Sequence, residues 1–265
     1  MNRRRVAVMQ PYFFPYIGYF QLMDAADVFV LYDNLKYTKK GWINRNRFLE
    51  QGMDRRFSIP IASASDSLHI NERRIADSFD TAKLLRRIRA AYLRAPHFDA
   101  AFDLFQQAVT CTERCLYAFL ENSIRLLAEQ LVPPVKLIRS STIDIDHGLA
   151  GQSKVLAICK ALEATEYVNA IGGRELYDPD VFDRRGVPIR FIQSSMLEYV
   201  QFNVPFIPWL SILDVMMFNS MERTREMISG GYELIEGERS RDAIASGSVS
   251  AAFPTATSSS TDALS

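Results

Sequence analysis

The chain has 265 residues, 48% of them hydrophobic, and its 31 Lys and Arg residues balance 31 Asp and Glu residues. This length and apolar content are enough for a large core, which excludes a chain that is disordered throughout. The zero net charge gives no overall field towards nucleic acid, so no nucleic-acid partner is expected.

The three cysteines are few and odd in number, which argues against a disulfide framework and suits a reducing compartment. The histidines are widely spaced and show no zinc-ligand pattern, so no metal and no other cofactor is predicted. The arginine-rich start is not followed by an uninterrupted apolar segment or a cleavage site. No later apolar stretch is long enough to cross a bilayer. We therefore expect a cytoplasmic protein without membrane insertion.

The first 33 residues are typical of a strand, a helix and a second strand. Residues 5–9 (RVAVM) predict a buried strand, 17–26 predict a short helix, and 27–33 (DVFVLYD) predict another strand with β-branched residues at its centre. Such a βαβ unit usually has parallel strands and a ligand site at their carboxyl ends.

The later elements extend this pattern to about residue 240. Helical periodicity runs from Asp80 to Leu131 and is divided by Pro96. The other predicted elements are strands at 55–61, 135–141, 167–171 and 187–193, an extended piece at 69–75, and helices at 154–164 and 210–227. They predict one α/β domain over 1–240, a three-layer Rossmann-like parallel sheet with a helical insertion at about 80–131. The Ser-rich and Thr-rich residues 241–265 predict a disordered tail.

A polar and aromatic segment follows the second predicted strand, where an α/β sheet places its ligand. Asp33 ends that strand. Arg45 suits a carboxylate or phosphate, whereas Asn44 and Asn46 suit substrate hydroxyl or amide groups. A solvated loop would not be expected to combine Trp with Tyr, so a binding site is favoured here. The remaining candidates for substrate binding in this segment are Tyr37, Lys39 and Trp42.

The first βα turn is the second candidate region. It has no Gly-rich phosphate-binding pattern, so a phosphate cradle is not supported. Its side chains either contact substrate or form an aromatic plug that closes the end of the sheet. The candidates for substrate binding are Gln10, Tyr12, Tyr16 and Tyr19.

The segment 206–219 (FIPWLSILDVMMFN) is the third candidate region. Its polar members are Ser211, Asp214 and Asn219. Ser211 and Asp214 are catalytic candidates and Asn219 a candidate for substrate binding. The structural alternative, a helix N-cap followed by a first-turn acid, is favoured over catalysis.

Several uncommon motifs occur together in this order: QPYFFPYIGYFQLM, DVFVLYD, YTKKGWINRN, YLRAPHF and FIPWLSILDVMMFN. They resemble the WbqC-like protein family over about residues 6–228. The resemblance implies a bacterial cytoplasmic protein of O-antigen, other surface-polysaccharide or specialised-metabolite biosynthesis. Two departures from the family pattern are Lys36 in place of a glutamine, which affects substrate detail, and Ser220-Met221 in place of a glycine.

The reaction that the resemblance implies is transfer of an acyl or aminoacyl group onto an amine such as that of an amino sugar. The co-substrate would be a thioester, with a carrier protein as a candidate partner. In this hypothesis Asp33 holds or deprotonates the amine, Asn44 and Asn46 stabilise the oxyanion, and Arg45 and Lys39 bind a phosphate or carboxylate of a nucleotide sugar or carrier. The alternatives are a non-catalytic nucleotide-sugar-binding protein and a nucleotidyltransferase.

Overall fold

The computed structural model describes residues 3–237, so the predicted tail at 241–265 lies outside the described residues. A six-stranded sheet forms the centre. Its strands, in chain order, are β1 (Arg5–Met9), β2 (Val28–Leu31), β5 (Lys136–Arg139), β6 (Glu166–Ala170), β7 (Ile189–Ser194) and β8 (Tyr232–Glu236). A separate hairpin consists of β3 (Arg45–Glu50) and β4 (Met53–Ser58).

The strand order across the sheet is β5-β2-β1-β6-β7-β8. The first five strands in that order are parallel, with Val6 opposite Val28 and Tyr167, and β8 runs antiparallel to β7. The α/β fold predicted from the sequence is therefore confirmed. Because the chain leaves β1 towards β2 and later returns on the other side to form β6, the sheet has a switch point between β1 and β6. The carboxyl ends of the strands near such a point usually form the ligand crevice.

Helices cover both faces of the sheet, as side-chain alternation along the strands requires. Val6 and Val8 of β1 face one core, whereas Ala7 between them faces the other. The helices are α1 (Ile17–Asp24), α2 (Thr81–Tyr92), α3 (Phe98–Val109), α4 (Leu116–Leu131), α5 (Gly151–Ala161), α6 (Pro179–Arg184), α7 (Ile212–Phe218) and α8 (Met221–Ser229). Of these, α5 and α6 pack on the Val6 face, and α1, α2, α3, α4, α7 and α8 contribute to the opposite core.

Three local predictions were wrong or incomplete. The helix expected over 210–227 is divided into α7 and α8, because the Ser220 side chain accepts a hydrogen bond from Arg223 N (3.0 Å) and starts a new helix. The extended piece expected over 69–75 contains a turn of 3₁₀ helix at Ile70–Glu72. Strand β3 was not predicted, and its hairpin turn has positive φ at both Gln51 and Gly52.

None of the helices within residues 3–237 combines the length and the apolar character that crossing a bilayer requires.

Candidate functional site

Asp33 lies two residues after β2, at the carboxyl edge of the sheet, and only 2% of it is exposed. Its Oδ1 accepts hydrogen bonds from Ser140 Oγ (2.8 Å) and Ser141 N (2.9 Å). Its Oδ2 accepts from Ser141 Oγ (2.5 Å) and Asn71 Nδ2 (3.0 Å). The two serines follow β5, the strand that pairs with β2, so neighbouring parallel strands bring these groups together. All four acceptor positions of the carboxylate are used by the protein.

These hydrogen bonds keep Asp33 ionised. Burial alone acts to raise the pKa of the Asp33 carboxyl, but the donors Ser141, Ser140 and Asn71 together outweigh it and lower the pKa below its ordinary value. A carboxylate with a lowered pKa is a weak base at neutral pH. The geometry therefore fits a carboxylate that orients its neighbours and attracts positive charge better than one that takes up a proton.

A second group of polar side chains adjoins Asp33. The Ser140 hydroxyl also donates to Asn34 Oδ1 (2.6 Å), and Asn34 Nδ2 lies 2.9 Å from His147 Nδ1. Lys154 of α5 is 4% exposed, donates to the His147 main-chain carbonyl (3.3 Å), and places its Nζ 5.2 Å from the centroid of the Tyr32 ring. Burial lowers the pKa of the Lys154 ammonium, and the negative charges of Asp33 and Asp146 oppose that effect.

The amide nitrogens of Asn44 and Asn46 donate to main-chain carbonyls and do not point into open space. Asn44 Nδ2 donates to the Ile59 carbonyl (2.7 Å) and Oδ1 accepts from Tyr37 Oη (2.9 Å). Asn46 Nδ2 donates to the Phe14 carbonyl (2.7 Å). Both residues are buried, so these bonds satisfy groups that would otherwise be costly to bury. Their predicted role as oxyanion donors would require these contacts to open.

Trp42 and Arg45 lie at the start of the hairpin. The Arg47 guanidinium is 5.8 Å from the centroid of the Trp42 ring and donates to the Trp209 carbonyl (3.1 Å), so it connects Trp42 to the segment before α7. Arg45 is the first residue of β3, and its Nη2 donates to the Lys39 carbonyl.

The chain between β2 and β3 forms one wall of a cavity of about 290 Å³, which we call the arginine cavity. Its walls are formed by Tyr37, Lys39, Asn44, Arg45, the segment 61–64 and Arg73. This volume is close to the lower end of the range for small-molecule sites. Three of the predicted substrate-binding residues, Tyr37, Lys39 and Arg45, therefore lie together on the arginine cavity.

The aromatic residues of the first βα turn occupy different surroundings. Tyr19 is buried, and its hydroxyl donates to the Gln10 carbonyl (3.1 Å). The Tyr12 ring lies 5.8 Å from the Tyr19 ring, whereas the Tyr16 ring lies 6.1 Å from that of Trp209. Burial raises the pKa of Tyr12 to about 12, so its hydroxyl stays protonated at neutral pH. The contacts of Tyr12 and Tyr19 agree with the plug alternative, and substrate contact by these residues remains a prediction.

Ser211, Asp214 and Asn219 make structural contacts in and around α7. Ser211 Oγ accepts from Leu213 N (3.2 Å) and donates to the Phe14 carbonyl (2.6 Å), the same carbonyl that Asn46 binds. Asn219 Nδ2 donates to the Val215 carbonyl (2.9 Å) at the end of α7. Ser211 therefore caps α7, and its main-chain N–H donates to the Arg47 carbonyl (2.9 Å) of strand β3.

Asp214 is the centre of a buried hydrogen-bond network. Its Oδ1 accepts from Tyr92 Oη (2.6 Å), and its Oδ2 accepts from Tyr199 Oη (2.7 Å) and Gln201 Nε2 (2.7 Å). Tyr92 Oη in turn accepts from Leu49 N (2.8 Å). The network ties α2, α7, the 199–201 segment and β3 together, which is a structural role for a carboxylate with no exposed surface.

We expect Ser211→Ala to lower the free energy of unfolding by about 1–2 kcal/mol, because it removes both the N-cap of α7 and the bond to the Phe14 carbonyl. Urea denaturation measures this change. The matched control is Ser220→Ala, which removes only the α8 cap hydrogen bond to Arg223 N and should cost less. Equal losses in the two variants would contradict the second contact of Ser211.

Sequence reasoning missed Arg73, Asn71, Ser140, Ser141 and Lys154. The two serines had a usable signal, since polar residues directly followed a predicted strand. Asn71 and Arg73 had none, because their segment resembled a short extended piece. Lys154 lies in the first turn of α5 and was treated only as part of an amphipathic helix.

The fold and the polar groups at the carboxyl edge define an α/β protein with a candidate ligand site next to β2. The model of the WbqC-like protein family matches residues 10–226, and the chain belongs to this family. It is also similar to the uncharacterized protein Rv1507c of Mycobacterium tuberculosis (strain ATCC 25618 / H37Rv), with 27% identity over 220 residues, which cover 82% of this chain and 94% of that protein. No solved structure matches the chain significantly.

Proposed function

We propose that the chain is an enzyme of surface-glycan or specialised-metabolite biosynthesis that transfers an acyl or aminoacyl group from a thioester to an amine of a sugar or small molecule. The observation that supports this function is the carboxyl edge of the sheet, where the ionised, buried Asp33 accepts a hydrogen bond from the hydroxyl of Ser141, an exposed residue. The reaction takes place in the cytoplasm, with a carrier protein or a nucleotide sugar as candidate partner or substrate.

In the proposed reaction the nitrogen lone pair of the amine attacks the thioester carbonyl carbon. A C–N bond forms, the C–S bond breaks with its electrons going to sulfur, and the proton lost from nitrogen ends on the thiolate. No oxidant or reductant is needed. Positive charge develops on the nitrogen during the attack, so a fixed carboxylate nearby stabilises that step.

Ser141 connects Asp33 to the substrate in this proposal. Because the Ser141 hydroxyl donates its proton to Asp33 Oδ2, its lone pairs remain able to accept an N–H of the amine. Asp33 is then a positioning residue that acts through Ser141. In this proposal it helps to hold the amine and does not deprotonate it. Asn44 lines the arginine cavity, and the amides of Asn44 and Asn46 already donate to main-chain carbonyls.

The test is a reaction of the purified protein with amino sugars, or nucleotide-linked amino sugars, and acyl or aminoacyl thioesters, with the amide product detected by mass spectrometry. Asp33→Asn and Ser141→Ala are expected to slow amide formation by about 100-fold, because misplacing a reacting group by about 1 Å costs about this much in rate. The control is Thr142→Ala, which removes a neighbouring hydroxyl that donates to the Arg139 carbonyl (2.8 Å). Its rate should not change.

The outcomes separate the proposal from its alternatives. Full turnover by Asp33→Asn would exclude the role assigned to Asp33. Binding of a nucleotide sugar without turnover of any thioester and amine pair would favour a non-catalytic binding protein. Release of pyrophosphate from a nucleoside triphosphate with magnesium would favour nucleotidyl transfer.

A further inference from the structure

The arginine cavity contains buried cationic groups whose hydrogen-bonding capacity is not used by the protein. Arg73 is 3% exposed, and its one recorded side-chain hydrogen bond runs from Nη1 to the Ala64 carbonyl (3.3 Å). Among residues 3–237, Arg73 Nε, Arg73 Nη2 and Arg45 Nε have no hydrogen-bond acceptor although each atom is buried. A buried charged donor without an acceptor in the protein is costly, so such groups call for a partner from outside the chain, such as a ligand, an ion or a water.

The charges around the arginine cavity do not balance. Lys39, Arg45 and Arg73 are cationic, and within residues 3–237 the carboxylate that forms ion pairs with this group is that of Asp66. Asp66 Oδ1 pairs with Lys39 Nζ (2.7 Å) and lies 3.9 Å from Arg73 Nη2, and its own side chain is largely exposed. Three cations against one carboxylate leave an excess of two positive charges, which matches a dianion better than a monocarboxylate.

The walls of the arginine cavity are held in place by neighbouring contacts. The Arg73 guanidinium lies 4.9 Å from the centroid of the Tyr37 ring, and the Tyr37 hydroxyl donates to Asn44 Oδ1. Asn44 is itself fixed by its bond to the Ile59 carbonyl. A planar guanidinium stacked on a fixed ring is oriented before a ligand arrives, so less ordering is needed on binding.

We propose that the arginine cavity binds a phosphoryl group of a substrate or carrier, with Arg73 and Arg45 as its main donors. The guanidinium fork matches the oxygens of a phosphoryl group, and two such forks with Lys39 supply the charge of a diphosphate or terminal phosphate. This proposal refines the proposed function by assigning a site to the phosphate end of the substrate. Only that link to the substrate rests on the proposed function. Binding itself needs no turnover.

The experiment measures binding of sodium pyrophosphate and sodium phosphate by calorimetry and by thermal shift, with malonate and acetate as carboxylate probes at equal ionic strength. Pyrophosphate is expected to raise the melting temperature by about 5 °C or more near saturation. Arg73→Met and Arg45→Met are each expected to raise the dissociation constant at least about tenfold. Arg74→Met is the matched control, since Arg74 is the neighbouring arginine and is exposed.

The control also corrects for general stabilisation by excluded anions, which would affect every variant equally. Loss of pyrophosphate binding in Arg73→Met together with its retention in Arg74→Met supports the proposal. Equal shifts in both variants, or absence of any saturable binding, overturns it. Tighter binding of malonate than of pyrophosphate overturns the phosphoryl assignment. Because these readouts need no acyl transfer, a failure here is distinguishable from a failure of the proposed reaction.

Discussion

The wild-type protein is expected to lose stability as the pH rises from about 4 to about 6, and replacing Asp214 by asparagine is expected to abolish this loss. Burial raises the pKa of the Asp214 carboxyl from 3.8 to about 6, in spite of the donors Tyr92, Tyr199 and Gln201, which act to lower it. The carboxyl has no exposed surface, so desolvation of its charge is the dominant effect.

The sign follows from proton binding. Below about pH 4 the carboxyl is protonated in both the folded and the unfolded chain, whereas between about pH 4 and pH 6 the folded chain binds more protons. Stability therefore falls with rising pH through this window and stays lower above it. The difference of about two pKa units corresponds to about 3 kcal/mol.

The measurement is urea denaturation of the wild type and of Asp214→Asn at a series of pH values. The quantity to follow is the difference between the two unfolding free energies. This subtraction matters because Asp33 and Glu50, whose pKa values are lowered, make stability rise with pH at the acidic end in both proteins. A difference that is constant between pH 4 and pH 7 would show that the Asp214 pKa is not raised.

The location of Asp33 could be predicted from sequence, and the reason is local. An apolar run with β-branched residues predicts a strand, and in a parallel α/β sheet the residue after a strand lies on the ligand edge. The partners of Asp33 could not be identified in the same way. Ser140 and Ser141 are more than a hundred positions away, and their contact depends on β5 pairing with β2, which no local pattern encodes.

The polar residues around Trp42 show a second limit of sequence reasoning. Asn44, Arg45 and Asn46 alternate along the start of a hairpin, and sequence alone does not tell whether a carboxamide binds a ligand or a distant carbonyl. The structure gives different answers for neighbours: Asn46 binds the Phe14 carbonyl, whereas Arg45 lines the arginine cavity. Arg73 completes that cavity from a segment whose sequence predicted only a short extended piece.

Strand β8 was also not predicted, because it is only partly buried. A central parallel strand is buried on both faces and is recognisable as a continuous apolar run, as in β2. Strand β8 (YELIE) lies at the edge of the sheet beside β7, and its burial is only partial. Its sequence therefore mixes charged and apolar residues and resembles a surface segment.

Replacing Arg73 by methionine is expected to make the protein more stable in the absence of anions, by about 1 kcal/mol or more. The guanidinium is buried, two of its nitrogens make no hydrogen bond within the protein, and its Nη2 lies 3.9 Å from a carboxylate oxygen of exposed Asp66. Methionine has a similar length and carries no charge, so it removes the desolvation cost. The lost contacts, one long bond to the Ala64 carbonyl and the stacking on Tyr37, offset only part of this gain.

Denaturation of Arg73→Met, Arg74→Met and the wild type, each with and without pyrophosphate, tests this prediction. Without the anion the order of stability should place Arg73→Met first, with Arg74→Met within about 0.5 kcal/mol of the wild type, as is usual for an exposed site. With saturating pyrophosphate the wild type should gain about 2–3 kcal/mol and reverse the order. A variant that is less stable than the wild type even without the anion would mean that Arg73 is retained for folding. The reversal would mean that its buried charge is retained for binding, at a cost in stability.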